Sequence, residues 1–116
     1  MSMSKEMVRE KMKEKGVVVL NVLSLEAYEK MHIPGSFNLA WAKDPKSFVK
    51  KVEQIYGRDK FYITHCSGYS CMAGPSAATA LRDAGFMAAD YPGGIEEWSE
   101  AGWPVEGTQV PHASTK

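Results

Sequence analysis

Apolar and polar residues follow one another in short segments, some with the period of a strand and some with the period of a helix. The run at residues 17–22 is continuous and β-branched, and it is too short for a buried helix. It therefore predicts a strand buried on both faces, as in a parallel sheet. Alternation over residues 60–65 predicts a second strand. Shorter strands are predicted at residues 37–39 and 87–91.

Capping residues and apolar stripes predict helices between these strands. Ser4 and Ser24 are suited to cap the start of a helix, and Asp44 followed by Pro45 is a typical helix start. Gly57 stands where the helix after Pro45 would end. The predicted helices cover residues 5–15, 25–31, 45–56, 76–84 and 95–101. Residues 66–75 remain as a loop of mostly small side chains.

Strands that alternate with helices predict an α/β domain with a mostly parallel central sheet and helices on both faces. We expect an N-terminal helical segment, residues 1–16, to pack on a domain formed by residues 17–106. Residues 107–116 are predicted to form a flexible polar tail. In open sheets of this kind, ligands bind beyond the carboxyl ends of the strands.

Composition narrows the possible functions. The chain has 116 residues, enough for one domain, and its 14 basic and 14 acidic residues cancel. We therefore expect no nucleic-acid partner and no membrane partner. No apolar run approaches the ~20 residues of a membrane helix, and the N-terminus lacks a secretory signal, so we expect a cytoplasmic protein. We expect a monomer or a weak dimer.

Cys66 lies at the expected ligand edge, after a strand and before a helix. The thiolate is the nucleophilic form of cysteine. Backbone N–H groups of a loop that leads into a helix, together with the helix dipole, stabilise such an anion. The predicted active-site loop comprises Ser67, Gly68, Tyr69, Ser70, Cys71 and Met72. The alternative interpretation is that Cys66 is a small buried apolar residue at a strand end.

Three segments resemble the rhodanese family, in the same order along the chain. They cover roughly residues 17–106. The motifs are His32-Ile33-Pro34-Gly35-Ser36 after the opening strand, Tyr62-Ile63-Thr64-His65-Cys66 with the helix that follows it, and Gly93-Gly94-Ile95-Glu96-Glu97-Trp98 followed by Ala101-Gly102-Trp103-Pro104-Val105. The resemblance implies a rhodanese-like α/β domain.

The same resemblance implies a sulfurtransferase of the thiosulfate:cyanide class, with Cys66 as the catalytic nucleophile. Sulfane sulfur would pass from thiosulfate, polysulfide or a protein persulfide to Cys66, and then to cyanide, a thiol or a protein sulfur carrier. This chemistry needs no cofactor and no metal ion.

The chain departs from the usual family pattern at two places. The first strand ends in Asn21-Val22-Leu23, where many relatives have Asp-Val-Arg. Residues 66–76 contain no basic side chain, and Arg82 lies further along the helix. These departures disfavour thiosulfate and favour a neutral or protein-borne donor.

Cys71 is a second cysteine in the loop, and it allows a second interpretation of the site. The Cys-x4-Cys spacing resembles that of a subset of the family, and Cys71 could resolve a Cys66 persulfide or protect Cys66 as a disulfide. The alternative function is therefore a non-catalytic or redox-sensing module that uses a Cys66–Cys71 disulfide. Structural packing alone is the further alternative for Cys71.

The sequence disfavours four other roles: a phosphatase-type loop, a zinc site, and acid–base roles for His32 and His65. A phosphatase or arsenate reductase loop needs an arginine six residues after the cysteine, and Met72 stands there. A zinc site lacks a complete ligand set around Cys66 and Cys71. His32 is interpreted as structural. His65 should point to the opposite face of the sheet from Cys66, which disfavours it as an activating base.

Overall fold

The computed structural model describes residues 2–109 and contains a four-stranded sheet flanked by five helices. In chain order the elements are α1 (Lys5–Lys11), β1 (Val17–Asn21), α2 (Leu25–Lys30), β2 (Phe37–Asn38), α3 (Pro45–Tyr56), β3 (Phe61–His65), α4 (Ala73–Asp83), β4 (Met87–Asp90) and α5 (Gly94–Glu100). The strands are all parallel, in the order β2-β1-β3-β4. The predicted parallel sheet is confirmed.

The three predicted helix caps are present. Ser4 Oγ accepts a hydrogen bond from Met7 N at 3.1 Å, and Ser24 Oγ accepts one from Ala27 N at 3.2 Å. Asp44 Oδ1 accepts one from the third residue of α3 at 3.2 Å. These bonds satisfy N–H groups that have no partner within a helix. Helix α1 is shorter than the predicted residues 5–15. It ends at Lys11, and the chain then continues in turns to β1.

Helix α4 begins three residues earlier than the sequence predicts, at Ala73 instead of residue 76. The prediction treated Pro75 as part of the loop. Pro75 occupies the first turn of α4, where its missing N–H would have had no helical partner anyway. The loop after β3 is therefore limited to residues 66–72.

Helices cover both faces of the sheet, as predicted. One face packs on α3 and α4 through Phe48, Val52, Ala77 and Leu81, and Cys66 belongs to this cluster. The other face packs on α1 and α5. Because β1 and β3 are the central strands, the loop after β3 lies at the middle of the carboxyl edge of the sheet.

Both terminal segments that the structure describes contact the domain. Met3 N donates to Asp90 O at 2.8 Å, and Val8 of α1 is fully buried. Thr108 N and Gln109 N donate to carbonyl oxygens at the end of α2, so the first part of the predicted tail is held there. The rest of the tail, residues 110–116, lies outside the described residues. Across residues 2–109, every helix is too short or too polar to cross a membrane.

Candidate active site

Cys66 is the first residue after β3, on the sheet face covered by α3 and α4. Its side chain is only 3% exposed. The structure joins its sulfur to that of Cys71 in a disulfide, with the two Cα atoms 6.3 Å apart. The loop therefore brings the sulfur atoms of the two predicted cysteines together.

The first turn of α4 supplies a hydrogen-bond donor to the Cys66 sulfur. Gly74 N lies 3.3 Å from Cys66 Sγ, and the Gly74 carbonyl accepts a hydrogen bond from Thr64 Oγ1 at 2.6 Å. A Cβ on Gly74 would lie 3.1 Å from His65 Cα, so glycine permits this close approach. The N–H and the positive end of the helix would both stabilise a negative charge on Cys66.

The start of α5 holds the other side of the loop. Ile95 N donates to Cys66 O at 3.1 Å, and Glu96 N donates to Ser67 O at 2.9 Å. Gly94 precedes them with φ +63°, and a Cβ there would lie 2.5 Å from Cys66 O. Glycine at position 94 thus lets the start of α5 and the loop after β3 touch through their backbones.

A carboxylate on α5 joins the loop to the sheet. Glu97 accepts hydrogen bonds from Tyr69 Oη at 2.8 Å and from Tyr91 Oη at 2.9 Å. The bond to Glu97 raises the pKa of Tyr69, whereas burial is the main cause that raises the pKa of Tyr91. Both phenols stay protonated at neutral pH and can donate to Glu97. Tyr69 is 70% exposed, and its hydroxyl is bonded to α5 through Glu97.

An open cleft of ≈ 500 Å³, which we name the Cys71 cleft, borders the loop. Its lining residues are Trp41, Lys43, Cys71, Met72, Ala73 and Ser76. Trp41 and Lys43 come from the segment between β2 and α3, and neither is among the predicted site residues. Trp41 N donates to Val22 O at 3.0 Å, which holds this segment beside the end of β1. The cleft therefore has a basic residue that the loop itself lacks.

The sequence of this chain is similar to those of known proteins. The profile of the rhodanese-like domain matches residues 4–101. The chain belongs to the rhodanese-like domain family. Its sequence is 34% identical over 97 residues to the HTH-type transcriptional regulator Rv0324 of Mycobacterium tuberculosis, a match that covers 83% of this chain and 41% of that protein. The chain thus spans about two fifths of the length of this curated relative.

Solved structures share the same fold. The BH2092 protein from Bacillus halodurans superposes with a TM-score of 0.82 and 26% identity, covering 99% of this chain and 81% of that one. The thiosulfate sulfurtransferase from Pseudomonas aeruginosa gives a TM-score of 0.74 at 22% identity, covering 94% of this chain and 20% of that one. The second match shows that the rhodanese-like fold is shared with part of a larger chain.

The predicted loop residues of this rhodanese-like domain differ from one another in burial and in hydrogen bonding. Neither the Ser67 nor the Ser70 hydroxyl makes a hydrogen bond within residues 2–109, and the donor near Cys66 Sγ is Gly74 N. Gly68 is buried, and its carbonyl accepts from Cys71 N at 3.0 Å. Met72 is 67% exposed, directly precedes α4 without making a side-chain capping bond, and lines the Cys71 cleft. The loop positions its cysteines mainly through backbone contacts.

The remaining polar candidates make structural contacts. Arg82 donates to Ala88 O at 3.1 Å, so its guanidinium group is bonded to the backbone of β4. His32 stacks on Tyr28, and its Nδ1 lies 2.7 Å from the Tyr28 carbonyl oxygen. In the described part of the chain, no three His, Cys, Asp or Glu side chains converge as metal ligands.

His65 points away from the Cys66 side chain, on the opposite face of the sheet. Its ring packs against Tyr91 with a centroid distance of 6.1 Å, and its Nε2 has no hydrogen-bond partner within residues 2–109. Burial lowers the pKa of His65 from 6.5 to about 4. The ring is therefore neutral at pH 7, and it cannot act as a base on Cys66 from that side.

We expect the rhodanese-like domain to lose stability as the pH falls from 7 to 5, with His65 responsible for roughly 2 kcal/mol of the loss. The unfolded chain takes up a proton at His65 near pH 6.5, whereas the folded domain does so only near pH 4. Protonation therefore favours the unfolded state between these values. Urea unfolding at both pH values measures the effect. A His65→Gln variant should lose that part of the pH dependence, and an unchanged dependence would contradict a neutral buried His65.

Proposed function

We propose that this domain is a sulfurtransferase that carries sulfane sulfur as a persulfide on Cys66. The observation that carries the proposal is the position of Cys66, at the carboxyl edge of a rhodanese-like sheet with Gly74 N 3.3 Å from its sulfur. A thiolate or persulfide anion at this point has a backbone N–H and a helix N-terminus to stabilise it. The family assignment supports sulfur transfer as the reaction.

The reaction starts from reduced Cys66. Its thiolate attacks the outer sulfur of the donor, so a new S–S bond forms and the donor's own S–S bond breaks. With thiosulfate the leaving group is sulfite, and with a polysulfide it is the shortened polysulfide. A nucleophilic acceptor such as cyanide then takes the outer sulfur as thiocyanate and restores the Cys66 thiolate. This sequence is covalent catalysis with ping-pong kinetics.

A redox-sensing module is the second candidate function, favoured by the Cys66–Cys71 disulfide. Cys71 thiolate would attack the inner sulfur of a Cys66 persulfide, forming this disulfide and releasing hydrosulfide. The Mycobacterium tuberculosis relative is named a transcriptional regulator. A sulfane-sulfur signal stored as a disulfide would fit a domain used in regulation.

Mass spectrometry of the intact reduced protein after brief exposure to polysulfide, and separately to thiosulfate, tests the proposal. We expect a gain of one sulfur atom that maps to Cys66 and disappears with cyanide. Thiosulfate should load slowly, because the loop from Cys66 to Met72 has no basic side chain to bind its two negative charges. An adduct that then loses one sulfur and two hydrogen atoms, leaving the Cys66–Cys71 disulfide, would favour the sensing module. Absence of any adduct with both donors would contradict sulfur transfer.

A further inference from the structure

The two disulfide sulfurs differ in how a solute can reach them. Cys66 is 3% exposed and does not line the Cys71 cleft, whereas Cys71 is partly exposed and does line it. A nucleophile that attacks a disulfide needs access to one of its sulfur atoms. The cleft therefore gives access to the disulfide from the Cys71 side.

One basic side chain borders this access route. Lys43 is the charged residue among the six that line the cleft, beside the apolar surfaces of Trp41 and Met72. It forms no ion pair within residues 2–109. The neighbouring Asp44 carboxylate accepts the hydrogen bond that caps α3. A small anionic molecule would find a complementary charge at Lys43.

We propose that the Cys71 cleft binds a small thiol that carries a carboxylate and directs it onto the Cys71 sulfur. The thiolate of this reductant attacks Cys71 Sγ, forming a mixed disulfide with Cys71 and breaking the Cys66–Cys71 bond. Cys66 leaves as a thiolate. A second thiol attacks the mixed disulfide, releases reduced Cys71 and leaves as the oxidised dimer of the reductant.

The surroundings of Cys66 favour this direction of attack. A disulfide opens faster when the leaving sulfur is the better stabilised thiolate. Gly74 N at 3.3 Å and the start of α4 stabilise a thiolate on Cys66. Attack on Cys71 therefore releases the sulfur whose thiolate form is stabilised by its surroundings. It leaves Cys66 as a free thiolate that can act as a nucleophile.

This inference rests on the Cys66–Cys71 disulfide and on the cleft, and it does not require sulfur transfer. A protein that takes up no sulfane sulfur from any donor would still open its disulfide by this route. Failure of the proposed function and failure of this inference are therefore seen in separate experiments.

The rate at which thiols reduce the oxidised 116-residue chain tests the inference. Glutathione, which has two carboxylates, is compared with cysteamine, which has none, using acid quenching and intact mass. We expect Lys43→Gln to slow reduction by glutathione about fivefold, the effect of ~1 kcal/mol from one charge contact in water. Reduction by cysteamine should change less than about twofold. Lys46→Gln is the matched control, because Lys46 is an exposed lysine on α3 that does not line this cleft.

The position of the mixed disulfide gives a second readout. Trypsin cleavage after Lys60 and Arg82 yields one peptide with both cysteines, and fragmentation between Ser67 and Ser70 separates them. We expect glutathione on Cys71. Glutathione on Cys66, or an equal effect of Lys43→Gln on both thiols, would overturn the inference. If the mixed disulfide does not accumulate, the comparison of rates decides alone.

Discussion

The Cys66→Ser variant should take up no sulfur from polysulfide, and sulfur transfer to cyanide should fall by more than ~10³-fold. A serine hydroxyl is not ionised at neutral pH and is a poor nucleophile toward sulfur. It fits the space of the cysteine beside Gly74, so the backbone of the loop should keep its contacts. The loss would then come from chemistry and not from unfolding.

Cys71→Ser is the matched control for this variant. Both substitutions remove the same disulfide, so both should lose the same stability, roughly 2 kcal/mol for so short a closed loop. Only Cys66→Ser removes the proposed sulfur carrier. We expect Cys71→Ser to load sulfur and turn over nearly normally, and to become more sensitive to oxidants because Cys66 can no longer be protected as a disulfide.

Intact-mass loading and urea unfolding on the two variants separate the candidate functions. Normal turnover by Cys66→Ser would contradict the proposed sulfurtransferase. Loss of turnover in both variants, with equal and small losses of stability, would assign Cys71 a direct part in the reaction. Loading of Cys71→Ser with a persulfide that stays on Cys66 would support transfer, with Cys71 as the residue that discharges or protects it.

The parallel sheet could be predicted because its signals are local. The β-branched run that became β1 and the capping residues Ser4, Ser24 and Asp44 each act within a few residues of chain. Cys66 could be placed at the carboxyl edge for the same reason, since it directly follows β3. The start of α4 was missed because Pro75 is equally compatible with a loop and with the first turn of a helix.

The cleft could not be predicted from the same signals. Trp41 and Lys43 reach the loop from the segment between β2 and α3, and their approach to Cys71 depends on how that segment packs across the end of β1. Glu97 likewise meets Tyr69 only after α5 has folded against the loop. Contacts between distant segments have no fixed spacing in the sequence, so residue patterns do not reveal them.

We expect Gly94→Ala to destabilise the domain by about 3 kcal/mol or more, a large part of the total stability of a domain of this size. Gly94 has φ +63°, a conformation that costs a residue with a Cβ about 1–2 kcal/mol. The new methyl group would also lie 2.5 Å from Cys66 O and 2.6 Å from Ser67 O. To relieve these contacts the start of α5 must move, which weakens the hydrogen bonds from Ile95 N and Glu96 N, each worth about 1 kcal/mol.

Gly102→Ala separates the two causes of this loss. Gly102 also has a positive φ, +78°, but a Cβ there would meet no atom within 4 Å. This variant should lose only the conformational part, about 1–2 kcal/mol, and should load sulfur normally. Gly94→Ala should lose about 2 kcal/mol more in urea unfolding and should load Cys66 more slowly, because α5 no longer holds the Cys66 and Ser67 carbonyls in place. Equal losses in the two variants would mean that the contact between α5 and the loop contributes little, and that the loop holds Cys66 in position through α4 alone.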